Sequence, residues 1–192
     1  TLPQTVHWLN QPKDWHVSPE GQLTIAAPAK TDWFVDPGGA INVSNAPALL
    51  FPTAGPCMLS AQVSANHLAM FDAGVLLVYE SPAAWAKLCL EFSPQAQPMI
   101  VSVVTRGISD DCNAFTVTGP MYMRVSKLEK AYAFHVSENG AEWDLIRHFR
   151  LEDGTNAQMG FLAQSPTGNG CTASFGDIRF EERLLTEIRS GE

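Results

Sequence analysis

From Gln22 to Glu182 the chain reads as one short alternating run after another, with no helix-length segment between them. That succession constrains the fold more than any single motif. A parallel α/β sheet needs a crossover helix between strands, and none is visible. The runs are "QLTIAA" (22–27), "TDWFVD" (31–36), "CMLSAQVS" (57–64), "AGVLLVYE" (73–80), "AWAKLCLEF" (84–92) and "MIVSVVTR" (99–106), then "AFTVTG", "MYMRVSKLE", "AQMGFLAQS" and "CTASFGDIRFEE". The β-branched content of "MIVSVVTR" suits a pleated surface and not a helix. The segment "AYAFHVSENGAEWDLIRHF" reads as a hairpin with Asn139-Gly140 at its tip, since those residues tolerate positive φ. The tail "EERLLTEIRSGE", from about residue 182, and a turn at "SPAAW" read as helical, and "RGISDDCN" has the composition of a loop. About ten to twelve strands predict an all-β, antiparallel two-sheet sandwich of jelly-roll type. No linker or internal repeat divides it, so residues 1–192 read as one domain.

Composition agrees. Charged residues are only 17%, and 14 Gly and 13 Pro punctuate the chain as many turns require. The net charge of −8, with no cluster of Lys or Arg to offset it, argues against a nucleic-acid partner. No apolar run approaches the roughly 20 residues that span a bilayer. The start "TLPQTVHWLNQPKDW" lacks the basic end and apolar middle of a signal peptide. Cys57, Cys89, Cys112 and Cys171 have no CxxC spacing, which disfavours a zinc site; they are expected to be reduced, in a cytoplasmic protein.

The row opposite the core-like side chains of "AWAKLCLEF" is the candidate site. Ala86, Leu88, Leu90 and Phe92 share one face; Trp85, Lys87, Cys89 and Glu91 share the other. In an open groove, Trp85 would stack on the apolar face of a ring while Lys87 and Glu91 bond hydroxyls. Lys87 and Glu91 lie ~13 Å apart along a strand, so Glu91 needs a partner elsewhere, with Arg106 and Arg124 as candidates. Trp33 and Asp110 are further candidates for the groove. The alternative is an outer sheet face laced with cross-strand pairs. His135 is expected to be exposed or half-buried, and Trp143 to close a hairpin core.

Motifs of hydrolases, zincins, P-loops and dinucleotide folds are absent. So is the E-x-D-x-E strand of the laminarinase and lichenase type; a glycoside-active enzyme would have to pair Glu91 with Asp110, or with Glu80.

The segments "DAGVLLVYESPAAWAKLCLEF", "VSVVTRGISDDCNAF", "RVSKLEKAYAFHVSENGAEWDLIRHFRL" and "MGFLAQSPTGNGCTASFGDIRF" together resemble domain of unknown function 1349, the regulation of enolase protein 1 family. It belongs to the concanavalin A-like lectin/glucanase superfamily. The resemblance covers about residues 30–180 and implies a two-sheet jelly roll. It extends to the C-terminal sandwich modules of some xylosidases, which implies a carbohydrate-contacting groove but no particular activity. Relatives of this kind are often intracellular. The family pattern usually has an aromatic shortly after "SD", where this chain has Asp111, Cys112 and Asn113, with Phe115 as the nearest replacement. The superfamily also implies a possible structural calcium, for which Asp36, Asp72 and Asp177 supply candidate oxygens. The expected function is non-catalytic binding of a carbohydrate or sugar-like metabolite, without a cofactor. The alternatives are a glycoside-active enzyme and a regulatory module that docks on a metabolic enzyme.

Overall fold

The computed structural model describes residues 5–192; the first four residues of the expected 1–192 domain lie outside it. Sixteen strands run along the described chain and no helix interrupts them. The first half contains β1 (His7–Leu9), β2 (Trp15–Val17), β3 (Leu23–Pro28), β4 (Trp33–Val35), β5 (Asn42–Ser44), β6 (Ala48–Pro52), β7 (Cys57–Ala65), β8 (Ala73–Ser81) and β9 (Ala84–Phe92). The second half contains β10 (Pro98–Arg106), β11 (Ile108–Thr116), β12 (Met121–Lys127), β13 (Tyr132–Ser137), β14 (Asp144–Phe149), β15 (Gln158–Gln164) and β16 (Gly170–Glu181).

Two seven-stranded antiparallel sheets form the sandwich expected from the alternation. The first has the order β1-β6-β15-β8-β9-β10-β11, the second β14-β13-β12-β7-β16-β3-β2. Their facing side chains make the main core: Ala86, Leu88 and Leu90 of β9 meet partners such as Val63, Met123, Phe134 and Phe175. Close packing leaves Gly160 no room for a side chain, because a Cβ there would lie 1.9 Å from the Leu49 carbonyl oxygen.

A second core lies on the other face of the first sheet. The small β4–β5 hairpin folds over that face and buries Trp33 against Trp85, Leu50, Val75 and Leu77. The hairpin is tied down by the Trp33 indole, whose Nε1 donates to the Ala46 carbonyl at 2.9 Å. Val35 N donates to Ser109 Oγ at 2.9 Å. The face expected to be an open groove is therefore largely roofed.

Four local expectations change. "SPAAW" is not helical but the tight turn between β8 and β9, with Ser81 paired to Ala84. "SDDC" belongs to the nine-residue strand β11, not to a loop; it is an edge strand, where charged side chains and one free row of backbone groups are tolerated. The tail from residue 182 forms turns, not a helix, and its Leu185 packs with Met58 and Leu128 on the outer face of the second sheet. That tail explains why His135 is fully buried instead of exposed: its Nε2 meets the Ile188 carbonyl at 2.7 Å.

Candidate functional site

Strand β9 runs through the centre of the first sheet, and its outer row carries the chemistry. Lys87 is almost wholly buried, 2% exposed, under the hairpin. An isolated buried ammonium would be too costly to keep charged. The fold compensates by bringing Asp32, at the foot of β4, to 3.0 Å from Lys87 Nζ, and Gln164 Oε1, at the end of β15, to 2.9 Å. Burial opposes the Lys87 charge, but Asp32 and the nearby Glu91 outweigh it and hold the lysine above its ordinary pKa. Two of the three ammonium protons are thereby spent on protein partners, and the third has no protein acceptor among the described residues. Gln164 is itself fixed, because its Nε2 donates to the Phe71 carbonyl at 3.1 Å.

A cavity of about 340 Å³ opens beside this lysine. Lys87, Glu91, Asp111 and Gln164 supply its polar surface; Phe34, Ile41 and Phe71 supply much of its apolar surface. Glu91 is half-buried, and its carboxyl group has no hydrogen-bond partner among the described residues. Burial pushes its carboxyl up to about 7, with Lys87 pulling the other way and Asp32 and Asp111 adding to the rise. Phe71 reaches its place through a φ of +69°, a conformation that is rare and strained for a bulky residue. Its backbone is clamped by a bond from its N to the Phe92 carbonyl at 2.7 Å. Beside it, Asp72 accepts from Leu68 N and Ala69 N, both at 2.9 Å, and from Ser165 Oγ at 2.7 Å. The loops bearing Phe71 and Thr167 are thus locked to one another at the cavity rim.

Of the residues singled out from sequence, Lys87 and Glu91 line this cavity. Trp85 shares their row but is 1% exposed, with its ring 5.6 Å from that of Trp33 in an edge-on contact. Both tryptophans are packing residues, not stacking surfaces for a ligand. Cys89, in the same row, is fully buried, and burial raises its thiol pKa far above the ordinary value, so it is a neutral packing atom.

The expected arginine partners of Glu91 lie elsewhere. Arg106 is opposite Ala84, seven residues and ~23 Å along the strand from Glu91, and donates to the Arg150 carbonyl. Arg124 is on β12, in the other sheet. Asp110 pairs with Arg147 of β14 at 3.1 Å and points to the opposite face of the first sheet from Glu91. Strand parity gives the cavity to its neighbour: Lys87, Val103 and Asp111 are level across β9, β10 and β11. Glu80 is spent on Tyr132 Oη, Glu152 N and Gly154 N. Phe115 does not line the cavity.

The proposed calcium oxygens are likewise separate. Asp36 accepts from Ala40 N, Asp72 is engaged as above, and Asp177 accepts from Tyr122 Oη in the second sheet. Among the described residues no three His, Cys, Asp or Glu side chains gather as a metal site. The four cysteines are free thiols.

Sequence reasoning missed Asp32, Phe71 and Gln164, and it placed Asp111 in a loop beside Asp110. Gln164 left a signal: it is a polar residue following the apolar run of β15, on the parity of buried Leu162. Asp111 is found by the same parity once β11 is read as a strand. Asp32 and Phe71 come from loops, and nothing local says that they reach over β9.

The model of the family described as protein of unknown function (DUF1349) matches residues 8–183. The chain belongs to this family. No curated protein matches this DUF1349 chain. A functionally unknown protein from Saccharomyces cerevisiae superposes with a TM-score of 0.86 at 22% identity, over 93% of this chain and 97% of that one. The GH43 protein BlXynB from Bacillus licheniformis gives 0.71 at 18% identity, over 94% of the DUF1349 chain and 37% of the enzyme. A GH43 protein of Bacteroides ovatus gives 0.72 at 16%, over 96% and 38%. The DUF1349 chain thus spans under two fifths of either GH43 chain. At these identities the likeness establishes the concanavalin-like sandwich fold alone.

Proposed function

We propose that the cavity over β9 binds a carbohydrate or a sugar-like metabolite. The carrying observation is the meeting of an unpartnered Glu91 carboxylate and a spare Lys87 proton with the rings of Phe34 and Phe71 in one small cavity. A sugar presents hydroxyls on its rim, which need both acceptors and donors, and an apolar face, which suits aromatic walls. The volume lies at the low end of the ~300–1,000 Å³ typical of small-molecule sites, which suits one or two sugar rings. The sandwich that superposes on part of two GH43 chains supports the same class of ligand. The free cysteines support the cytoplasmic location expected from sequence.

The test is a thermal-shift and calorimetric screen with monosaccharides and xylo-oligosaccharides. A binder at a hundredfold excess over its dissociation constant stabilises the fold by about 2.7 kcal/mol. Glu91→Gln is expected to lose that shift while keeping a cooperative melting transition at or above the wild-type temperature, because the amide removes the cost of ionising a buried carboxyl. A panel without any shift contradicts the reading.

One observation favours a second reading, glycoside hydrolysis. A carboxyl raised to about 7 is poised as a general acid near neutral pH. Its cavity neighbour Asp111, not Asp110, is the second carboxylate. Turnover of aryl xylosides that disappears in Glu91→Gln would establish catalysis; binding without turnover leaves the non-catalytic reading.

A further inference from the structure

The second sheet has its own pocket, on its outer face and on the opposite side of the sandwich from Glu91. It measures about 220 Å³ and lies among β12, β7, β16, the β13–β14 turn and the C-terminal tail. Register places Arg124, Ser60 and Arg179 side by side on three neighbouring strands. The two arginines are therefore two strand spacings apart, about 9–10 Å between Cα atoms, with a small hydroxyl residue between them. Arg183 joins them from the tail.

Gathering three guanidiniums is unfavourable unless something negative meets them. Two carboxylates line the same pocket, Glu181 paired with Arg183 at 2.9 Å and Asp177 accepting from Tyr122 Oη at 2.9 Å, so three guanidiniums face two carboxylates. Arg124 is 6% exposed and forms no ion pair among the described residues. Its Nε has no hydrogen-bond partner, and only the Gly191 carbonyl accepts from its terminal nitrogens. Burial, and then the charge of Arg183, pull its pKa down to about 10, with Glu181 pulling the other way. The Trp143 ring lies 4.1 Å from the guanidinium carbon and holds its plane without neutralising it. The Arg179 side chain makes no hydrogen bond or ion pair among the described residues and is exposed.

A buried cation with no ion-pair partner of its own, beside an exposed one across a small residue, leaves a place for an anion. We propose that this pocket binds the oxyanion of a small phosphorylated or carboxylated molecule, gripped between Arg124 and Arg179. Guanidinium forks match two oxygens of such a group, and Ser60 can donate to a third. The volume is below that of a whole drug-sized ligand, so the pocket holds the charged group while the remainder of the molecule extends into solvent.

Calorimetric titration of the full chain with inorganic phosphate, and separately with acetate, at low salt tests this. Saturable binding of phosphate assigns a phosphoryl ligand; binding of acetate alone assigns a carboxylate. Arg179→Ala, at an exposed side chain whose loss leaves no group unpaired, is expected to weaken binding about tenfold, as the loss of one charge-assisted hydrogen bond does. Arg124→Lys keeps the charge but removes the fork, and is expected to weaken it similarly. No saturable binding of either ion, or equal affinity in the wild type and Arg179→Ala, overturns the proposal.

Discussion

Trp85 shows how far a residue's meaning depends on what lies over it. Its row on β9 is plain in the sequence, and the row does face away from the main core. The β4–β5 hairpin then converts the aromatic end of that row into a second core, leaving Lys87 and Glu91 at the cavity. Trp85→Ala is therefore expected to destabilise the fold by about 3–5 kcal/mol, the usual range for a buried large aromatic. A chemical-denaturation midpoint close to that of the wild type would contradict this packing role. Glu91 behaves in the opposite sense, because its cost is electrostatic. Its folded pKa, about 7, exceeds the 4.5 of an ordinary glutamate. Between those values the folded state binds more protons than the unfolded one, so this residue's contribution to stability falls as pH rises from about 5 to 7. His67 and His135, whose pKa values burial lowers, push stability the other way over part of that range. The readout is therefore a difference: the melting temperature of Glu91→Gln minus that of the wild type is expected to grow from pH 5 to pH 7.5. A constant difference would place the Glu91 carboxylate in water.

Elements differ in how much of them the sequence exposes. Strand β9 matches "AWAKLCLEF" residue for residue, because nine residues of unbroken alternation admit one register only. The β13–β14 hairpin was equally legible: Gly140 has a φ of +73°, and Asn139 Oδ1 accepts from Ala141 N and Glu142 N. A Cβ at Gly140 would come within 3.2 Å of the Tyr122 ring. Gly140→Val is expected to cost at least about 1–2 kcal/mol for the left-handed backbone, lowering Tm by roughly 2–8 °C; an unchanged Tm would mean that the turn relaxes elsewhere. Strand β11 was hidden because Ser-Asp-Asp-Cys-Asn has poor β-propensity, and only pairing with β10 on one side makes it a strand. The roof was hidden for another reason. Strands β4 and β5 have three residues each, too few for a period to register, and their placement over β9 is decided by non-local contacts such as Trp33 with Trp85. The tail has helical spacing of apolar residues, but Leu185 meets the outer sheet face before a helix is needed to bury it.

At the scale of the whole molecule, the sandwich offers two outer faces, and loops cover each in part. The hairpin covers the first sheet and leaves a cavity with both signs of charge and aromatic walls. The tail lies on the second and leaves a pocket rich in arginine. The fold class was readable because it depends on local alternation. The site was half readable because Lys87 and Glu91 lie on one strand, whereas Asp32, Phe71 and Gln164 join them only when loops and strands distant in sequence meet. The central claim is that the ligand occupies the cavity over β9. Its most direct test is a ¹H–¹⁵N chemical-shift titration of the full chain with the best binder from the sugar screen. The account predicts perturbations centred on Phe34, Ile41, Phe71, Gln164 and Thr167, with the β12–β16 face silent. Perturbations confined to any other face, or a spectrum unchanged at saturating sugar, would contradict it.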